Sequence, residues 1–247
     1  MNLTSTLVIA FIAGLLPAAL WLYFWLKEDN AHPEPPRLIL LTFMYGALSV
    51  PFALIFQLLF GLAFSLKGVE SVVNASLLPA FGIIVVWAAI EEFVKYKAAW
   101  HGGLKKSITD EAVDVPIYMI SAALGFAALE NMFFLISPLL GGNFQEVLLT
   151  TQLRFIGASL VHVASSALIG IFAGYSLFFM NSVRKRYIVS GFVLASMLHG
   201  LFNLFIIKNN QNAFVGFLLI WLFIAIVIVL FEKIKRIKLN TINNVRE

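Results

Sequence analysis

The sequence predicts an all-α fold, a polytopic membrane helical bundle with seven transmembrane helices, and three observations indicate it. Hydrophobic residues make up 61% of the 247 residues, and charged residues only 12%. A soluble domain of this size does not need so much apolar surface, whereas a bilayer does. The apolar residues form runs long enough to cross a hydrocarbon core of roughly 30 Å. The basic residues are distributed unevenly between those runs, as they are in membrane proteins.

Seven apolar segments are long enough to span, and short polar connections separate them. In chain order they cover residues 3–25, 38–66, 72–95, 115–136, 153–180, 188–207 and 213–231. No connection is long enough to separate two domains. We therefore interpret residues 1–247 as a single integral-membrane domain that ends in a basic tail, 232–247.

The distribution of Lys and Arg predicts the orientation of the bundle. Fourteen of the 17 basic residues follow the first, third, fifth or seventh segment, whereas only Lys67, Arg154 and Lys208 lie on the other side. Loops rich in Lys and Arg stay in the cytoplasm. We expect the N-terminus outside and the C-terminus in the cytoplasm.

The same charges limit the partners. The basic tail is expected to lie against anionic lipid, as juxtamembrane clusters of Lys and Arg do. Nucleic acid is not an expected partner, because no soluble basic face can be recognised. The chain contains no cysteine, which excludes disulfides and thiolate metal sites.

Five ionisable residues interrupt the apolar segments, beginning with two adjacent acids in "VVWAAIEEFVKYKAAW". They are Glu91, Glu92, Glu130, His162 and His199, on four consecutive segments. By insertion scales an acid near the bilayer centre costs roughly 2.5–3.5 kcal/mol. Each residue alone has an ordinary explanation, such as an ion pair or a hydrogen bond between helices. Together they would be too costly unless they converge on one polar cavity.

Spacing along the helices adds two neighbours to this group. Lys95 lies four residues after Glu91, and Asn203 four residues after His199, so each pair shares a helix face. The membrane depth of Glu91 has two interpretations. If its helix begins near Pro79, Glu91 reaches the layer of the other residues. If the helix runs unbroken from Val72, the carboxylates lie nearer the cytoplasm.

Carboxylates and imidazoles in a pocket of low dielectric constant suit the activation of water. A Glu can act as general base, and His with Glu matches the ligand set of a catalytic zinc ion. An Asn one turn from a His can donate to a developing oxyanion. The chain has no H-E-x-x-H motif, no Gly-x-Ser-Gly run before a His, and no aspartate within a segment. These absences argue against site-2-type, rhomboid and membrane aspartyl proteases.

The remaining pattern resembles the PrsW family of multi-pass membrane proteases. The resemblance rests on "EEFVK" (91–95), "FAALEN" (126–131), His162 and "HGLFN" (199–203). A more remote resemblance is to CAAX-processing and bacteriocin-processing endopeptidases, which have His where this chain has Glu130. The resemblance to the PrsW family implies an intramembrane endopeptidase in the bacterial cytoplasmic membrane, acting on membrane-associated proteins such as an anti-sigma factor.

The resemblance also implies roles for individual residues. The implied catalytic residues are Glu91, Glu92, Glu130, His162, His199 and Asn203. A divalent metal, with zinc preferred, would be held by Glu130, His162 and His199. The chain shows no separate recognition domain, so we expect single-span substrates that enter from the side of the bundle.

Carboxylates and histidines within membrane spans also build proton relays, which leaves an ion- or proton-coupled transporter as the alternative. A noncatalytic scaffold is a third interpretation. A transporter is expected to contain related halves with Gly/Pro-interrupted helices. The odd number of segments and the absence of a recognisable repeat favour the protease.

Overall fold

The structure is a computed structural model that describes residues 2–28, 33–105, 109, 111–208 and 213–237. Within these residues it contains nine α-helices and two π-helical turns, and no strand. The helices are α1 (Leu3–Lys27), α2 (Pro36–Ala63), α3 (Val69–Asn74), α4 (Leu77–Ala99), α5 (Asp114–Leu140), α6 (Phe144–Leu153), α7 (Ser159–Tyr175), α8 (Asn181–Lys208) and α9 (Ala213–Ile234). The π-helical turns are Trp100–Leu104, which continues α4, and Arg154–Ala158, which joins α6 to α7.

Seven of the described helical stretches are long and apolar enough to cross a membrane. They are α1, α2, α4 with its π-helical turn, α5, α6 joined to α7, α8 and α9. The prediction of an all-α bundle with seven spans is therefore confirmed. The orientation of the termini stays a prediction, and residues 238–247 of the basic tail lie outside the described residues.

The third span begins later than the sequence predicts. Residues 69–74 form the separate helix α3, and α4 begins at Leu77 with Pro79 in its first turn. A proline is tolerated there because the first turn lacks intrahelical acceptors for its N–H groups. Of the two interpretations of the depth of Glu91, the structure has the one in which the helix begins near Pro79.

Two further spans begin earlier than predicted. The fifth begins at Phe144, because Asn143 accepts a hydrogen bond from the Glu146 backbone N–H and caps α6. The sixth begins at Asn181, because the basic stretch 184–186 is helical rather than a loop. Charged residues at the end of a span can stay helical and still reach the interface.

Helices α5 and α7 form the centre of the bundle, and small residues bring their neighbours close. A Cβ on Gly125 of α5 would overlap the Phe43 carbonyl of α2, and a Cβ on Gly46 of α2 would overlap the Ala122 carbonyl. The backbones of α2 and α5 are therefore in direct contact, as in other membrane helix pairs that pack through small residues. On α8, Gly200 packs against Val85 of α4 in the same way.

The predicted cytoplasmic ends of α1 and α9 are joined by ion pairs. Lys235 lies just beyond α9 and places its Nζ 3.2 Å from Glu28 and 2.7 Å from Glu232. Partial burial opposes protonation of Lys235, but its hydrogen bonds to the two carboxylates raise its pKa above the usual value. These contacts hold the first and last spans together.

Candidate active site

A cavity of about 840 Å³ lies between α2, α4, α5, α7 and α8. Its wall consists mostly of apolar side chains, including Trp87, Phe126 and Phe202. The polar residues that line it are Gln57, Glu91, Glu130, Arg154, His162, His199 and Asn203. An apolar cavity with a few converging polar groups is the usual form of an active or binding site.

Glu91 lines the cavity, and one oxygen of its carboxylate is bonded by none of the described groups. Its Oε1 accepts a hydrogen bond of 3.0 Å from Gln57 Nε2. Its Oε2 lies 3.5 Å from His199 Nε2 and 4.0 Å from His162 Nδ1, but it accepts no hydrogen bond from the described residues. Buried carboxylate oxygens are normally bonded, so Oε2 indicates a place for water or a cation.

Glu92 has the opposite environment. It is fully buried, and its Oε1 accepts hydrogen bonds from Lys95 Nζ (2.8 Å) and Ser165 Oγ (2.8 Å) and lies 2.9 Å from His199 Nδ1. Its Oε2 accepts a hydrogen bond of 2.6 Å from Ser166 Oγ. Adjacent residues on a helix point about 100° apart. That rotation places Glu91 at the cavity and Glu92 against α7.

Lys95 is part of the site and not of the cytoplasmic end of the span. Its ammonium is fully buried, 2.8 Å from Glu92 and 3.9 Å from Glu91. It also lies 2.7 Å from His162 Nδ1 and 4.6 Å from the centre of the Phe126 ring. Lys95 therefore pairs mainly with Glu92, three residues before it, rather than with Glu91 as the spacing suggested.

His162 is held at both ring nitrogens. Its Nε2 lies 3.0 Å from Glu130 Oε2, and the same oxygen accepts a hydrogen bond from Arg154 Nη2. Arg154 Nε also donates to Asn131 Oδ1 over 2.5 Å. Because a carboxylate only accepts, Nε2 of His162 carries the proton, and Nδ1 is the acceptor that faces Lys95.

His199 stands between the two adjacent acids. Its Nδ1 lies 2.9 Å from Glu92, and its Nε2 faces Glu91. Its ring is perpendicular to that of His162, with centroids 4.9 Å apart. Asn203, one turn later on α8, is half-buried and lines the same cavity.

Comparison with known proteins gives the family of this chain. The family described as PrsW family intramembrane metalloprotease matches residues 34–230. The chain belongs to this family.

Relatives named Protease PrsW agree with this membership. The one from Geobacillus kaustophilus is 29% identical over 86% of this chain and 87% of its own length. The one from Oceanobacillus iheyensis is 30% identical over 94% of this chain and 97% of its own length. The one from Bacillus subtilis is 28% identical over 81% of this chain and 83% of its own length. No solved structure matches the chain. The protein is thus a multi-pass cell-membrane protease of the PrsW family, as the motifs implied.

The donor atoms of this PrsW-family site suit a metal ion. One donor atom each of Glu91, His162 and His199 lies within 4.8 Å of the other two, and all three side chains are buried. Two imidazoles and a carboxylate form a usual set for catalytic zinc.

Two features qualify the predicted ligand set of Glu130, His162 and His199. Glu130 contacts His162 Nε2, whereas Glu91 lies on the side of Nδ1. Lys95 Nζ lies against Nδ1, so this ammonium and a metal ion would compete for the same lone pair.

All six predicted site residues are brought together, five on the cavity wall and Glu92 directly behind it. Their catalytic roles stay predictions. Sequence reasoning missed Gln57, Arg154, Ser165 and Ser166. Gln57 is a lone amide within the apolar run "PFALIFQLLF", a signal that could have revealed it. The serines belong to a run of small residues typical of helix packing, and their contacts with Glu92 cannot be read from that pattern.

Proposed function

We propose that this protease hydrolyses peptide bonds within its cavity with Glu91 as the base that activates water. The supporting observation is that Glu91 lines the cavity and that its unbonded Oε2 lies 3.5 Å from His199 Nε2 and 4.0 Å from His162 Nδ1. Glu92 is a poorer candidate because Lys95, Ser165, Ser166 and His199 occupy its oxygens. Glu92 instead orients His199 and keeps the Lys95 ammonium in place.

The reaction follows from these positions. Glu91 Oε2 takes a proton from a water molecule in the cavity, and the water oxygen forms a bond to the scissile carbonyl carbon. The carbonyl oxygen becomes an oxyanion. When the C–N bond breaks, Glu91 returns the proton to the leaving nitrogen, which gives a carboxylic acid and an amine. Gln57 holds the other oxygen of Glu91, so Oε2 keeps its direction throughout.

Asn203 is proposed to donate its side-chain amide to the oxyanion. It lines the cavity one helical turn from His199. A preorganised donor in a cavity of low dielectric constant stabilises the transition state more than the ground state.

A zinc ion, or another divalent metal, is proposed to bind to His162 and His199, beside the Glu91 Oε2 that acts as the base. When bound, such an ion lowers the pKa of water and polarises a carbonyl group. Glu130 then has an indirect role, because its hydrogen bond to Nε2 orients His162 and leaves Nδ1 free of a proton. Carboxylates commonly orient metal-binding histidines in this way.

The proposed substrates are single-span membrane proteins, an anti-sigma factor being one example. An α-helix with its side chains is about 10–12 Å wide and rises 5.4 Å per turn. The cavity, at about 840 Å³, therefore holds roughly one and a half to two turns of helix. A whole span does not fit, so we infer that the substrate presents a short segment to the site from the side of the bundle.

Three further expectations stay part of this proposal. The bundle is a single domain, its termini lie outside and in the cytoplasm respectively, and its basic tail binds anionic lipid. Two of the 17 basic residues do not lie in a loop and are left out of the count. Lys95, one of the 14 on the cytoplasmic side, is buried in the site, and Arg154, one of the three on the outer side, lines the cavity. The remaining charges, thirteen against two, still favour this orientation. The transporter alternative has no specific support in the geometry.

The test is cleavage of labelled single-span proteins by the purified protease in lipid nanodiscs. Parent protein, Glu91→Gln and Gly82→Ala are compared, the last because Gly82 faces open space on the same helix. We expect cleavage by the parent and by Gly82→Ala, and none by Glu91→Gln. Parental rates for a folded Glu91→Gln variant would contradict the assignment of the base.

A further inference from the structure

Arg154 is the one arginine among the described residues that line the cavity. Its side chain is only 13% exposed. A basic residue near the end of a membrane span usually extends towards the interface and its water. Arg154 instead turns into the bundle, which requires partners inside it.

Those partners lie along one face of α5. Arg154 Nη2 donates to Glu130, and its Nε donates to Asn131 Oδ1 over 2.5 Å. Its guanidinium carbon lies 3.9 Å from the centre of the Phe134 ring. The planar Arg154 guanidinium thus donates hydrogen bonds to two acceptors while its face packs on an aromatic ring. This arrangement suits arginine and not lysine.

The backbone at Arg154 is specialised as well. Arg154 begins the π-helical turn Arg154–Ala158, and such turns within α-helices are frequent at functional sites. Beyond the turn, Ser159 Oγ accepts a hydrogen bond of 3.3 Å from Asn131 Nδ2. Asn131 therefore connects both ends of the turn to α5, and it fixes the position from which Arg154 reaches Glu130.

The Arg154 contact continues to the catalytic group through one atom. Glu130 Oε2 is shared by Arg154 and His162 Nε2. The other nitrogen of His162 faces Lys95 and Glu91. Glu130 and Lys95 thus favour the same tautomer from opposite nitrogens, and displacing the Glu130 carboxylate would leave Lys95 alone to favour it.

We propose that Arg154 is a positioning residue, which holds the Glu130 carboxylate on His162 Nε2 and so keeps His162 Nδ1 available to the site. The inference rests on the proposed function for its effect on cleavage. Its effect on His162 is independent of that function and can be measured without a substrate.

Nitrogen-15 NMR of histidine-labelled protein measures the tautomer, with the His162 signals identified by their loss in His162→Ala. In the parent we expect a protonated Nε2 and a bare Nδ1. Arg154→Gln should give a mixture of tautomers, whereas Arg154→Lys keeps the charge and should keep more of the parental form. Arg186→Gln, a change at an exposed arginine of α8, should leave the parental spectrum. An unchanged His162 spectrum in folded Arg154→Gln protein would overturn the proposal.

Kinetics give a second readout. Arg154→Gln should lower kcat by about 10–100-fold with KM nearly unchanged, the usual loss when a group that orients a ligand is removed. In a Glu130→Gln background the same change should add less than about threefold, because the two residues act through one contact. A full additional loss in that background, or a rise in KM alone, would overturn the positioning role. If the parent itself cleaves nothing, the proposed function fails, while the NMR result still decides the role of Arg154.

Discussion

Glu92 and Lys95 form an ion pair of 2.8 Å one turn apart on α4, with neither side chain exposed. Their burial changes the meaning of the E-E-x-x-K motif. The first Glu faces the cavity, whereas the second Glu and the Lys form a charged support behind it. The first prediction follows from this division.

Removing one member of the buried pair should destabilise the protein strongly. Lys95→Met leaves the Glu92 charge without its cation, and breaking a buried pair costs about 3–5 kcal/mol. The double variant Glu92→Gln/Lys95→Met removes both charges and should recover much of that loss. Thermal unfolding in one detergent measures this, with Lys185→Met on the exposed surface of α8 as control. Equal stability of parent and Lys95→Met would contradict the pairing.

Glu91 and Glu92 should differ in stability when each is changed to Gln. Glu91→Gln should leave the free energy of unfolding equal or higher, because a neutral amide is easier to bury than a partly unbonded carboxylate. Glu92→Gln should lower it, since the amide cannot accept bonds from Lys95, Ser165 and Ser166 together. Both variants should lose cleavage, the second through a displaced His199. Similar unfolding curves for the two variants would show that the division of roles is wrong.

Zinc binding should distinguish the two candidate ligand sets. We expect His162→Ala and His199→Ala to abolish stoichiometric binding, whereas Glu91→Ala, which removes a carboxylate beside the ion but no ligand, should only weaken it. Glu130→Ala should bind one ion about 10–100-fold more weakly, because it loses only the group that orients His162. Competition with a coloured chelator measures these affinities without a substrate. Complete loss of binding in Glu130→Ala together with retention in Glu91→Ala would favour the originally predicted set of Glu130, His162 and His199.

The contact between α2 and α5 predicts a sharp effect of a single methyl group. Gly125→Ala places a Cβ on the Phe43 carbonyl, where only a backbone shift can make room, and should destabilise the protein by about 1–3 kcal/mol. Gly82→Ala, on a helix face with open space, should instead stabilise it by roughly 0.5–1 kcal/mol. Unfolding in a common detergent compares the two variants. Equal changes in the free energy of unfolding would mean that helix propensity, and not packing, determines the effect of Gly125→Ala.

Topology can be measured directly with reporter fusions. Reporters placed after Leu66 and after Ile207 should both report the external side if Lys and Arg set the orientation. Placing the reporter after Lys105 should give the cytoplasmic signal and acts as the control. An external signal after Lys105 together with internal signals at the other two sites would invert the bundle.

Much of this architecture could be predicted because hydrophobic length determines what crosses a bilayer. The seven spans follow from that rule, and the cost of burying Glu130, His162 and His199 required them to meet. The pairing within the site could not be predicted, because it depends on helix rotation. Lys95 has acids both three and four residues before it, and only the packing of α4 on α7 decides between Glu92 and Glu91. The sequence predicts only that Arg154 lies on the outer side, because nothing in its local sequence predicts a π-helical turn.

That π-helical turn has a consequence for the length of the chain. A π-helical turn holds one residue more than the α-helical turn it replaces. Winding residues 154–158 as a regular α-helix, with every residue kept, would rotate α6 by about 100° relative to α7. Arg154 would then leave α5, although every side chain of the active site had been kept. Deleting one residue of 155–157 would instead restore the α-helical turn with α6 and α7 in nearly their present rotation, so a single-residue gap there in an aligned relative would mark a regular helix in place of the π-helical turn.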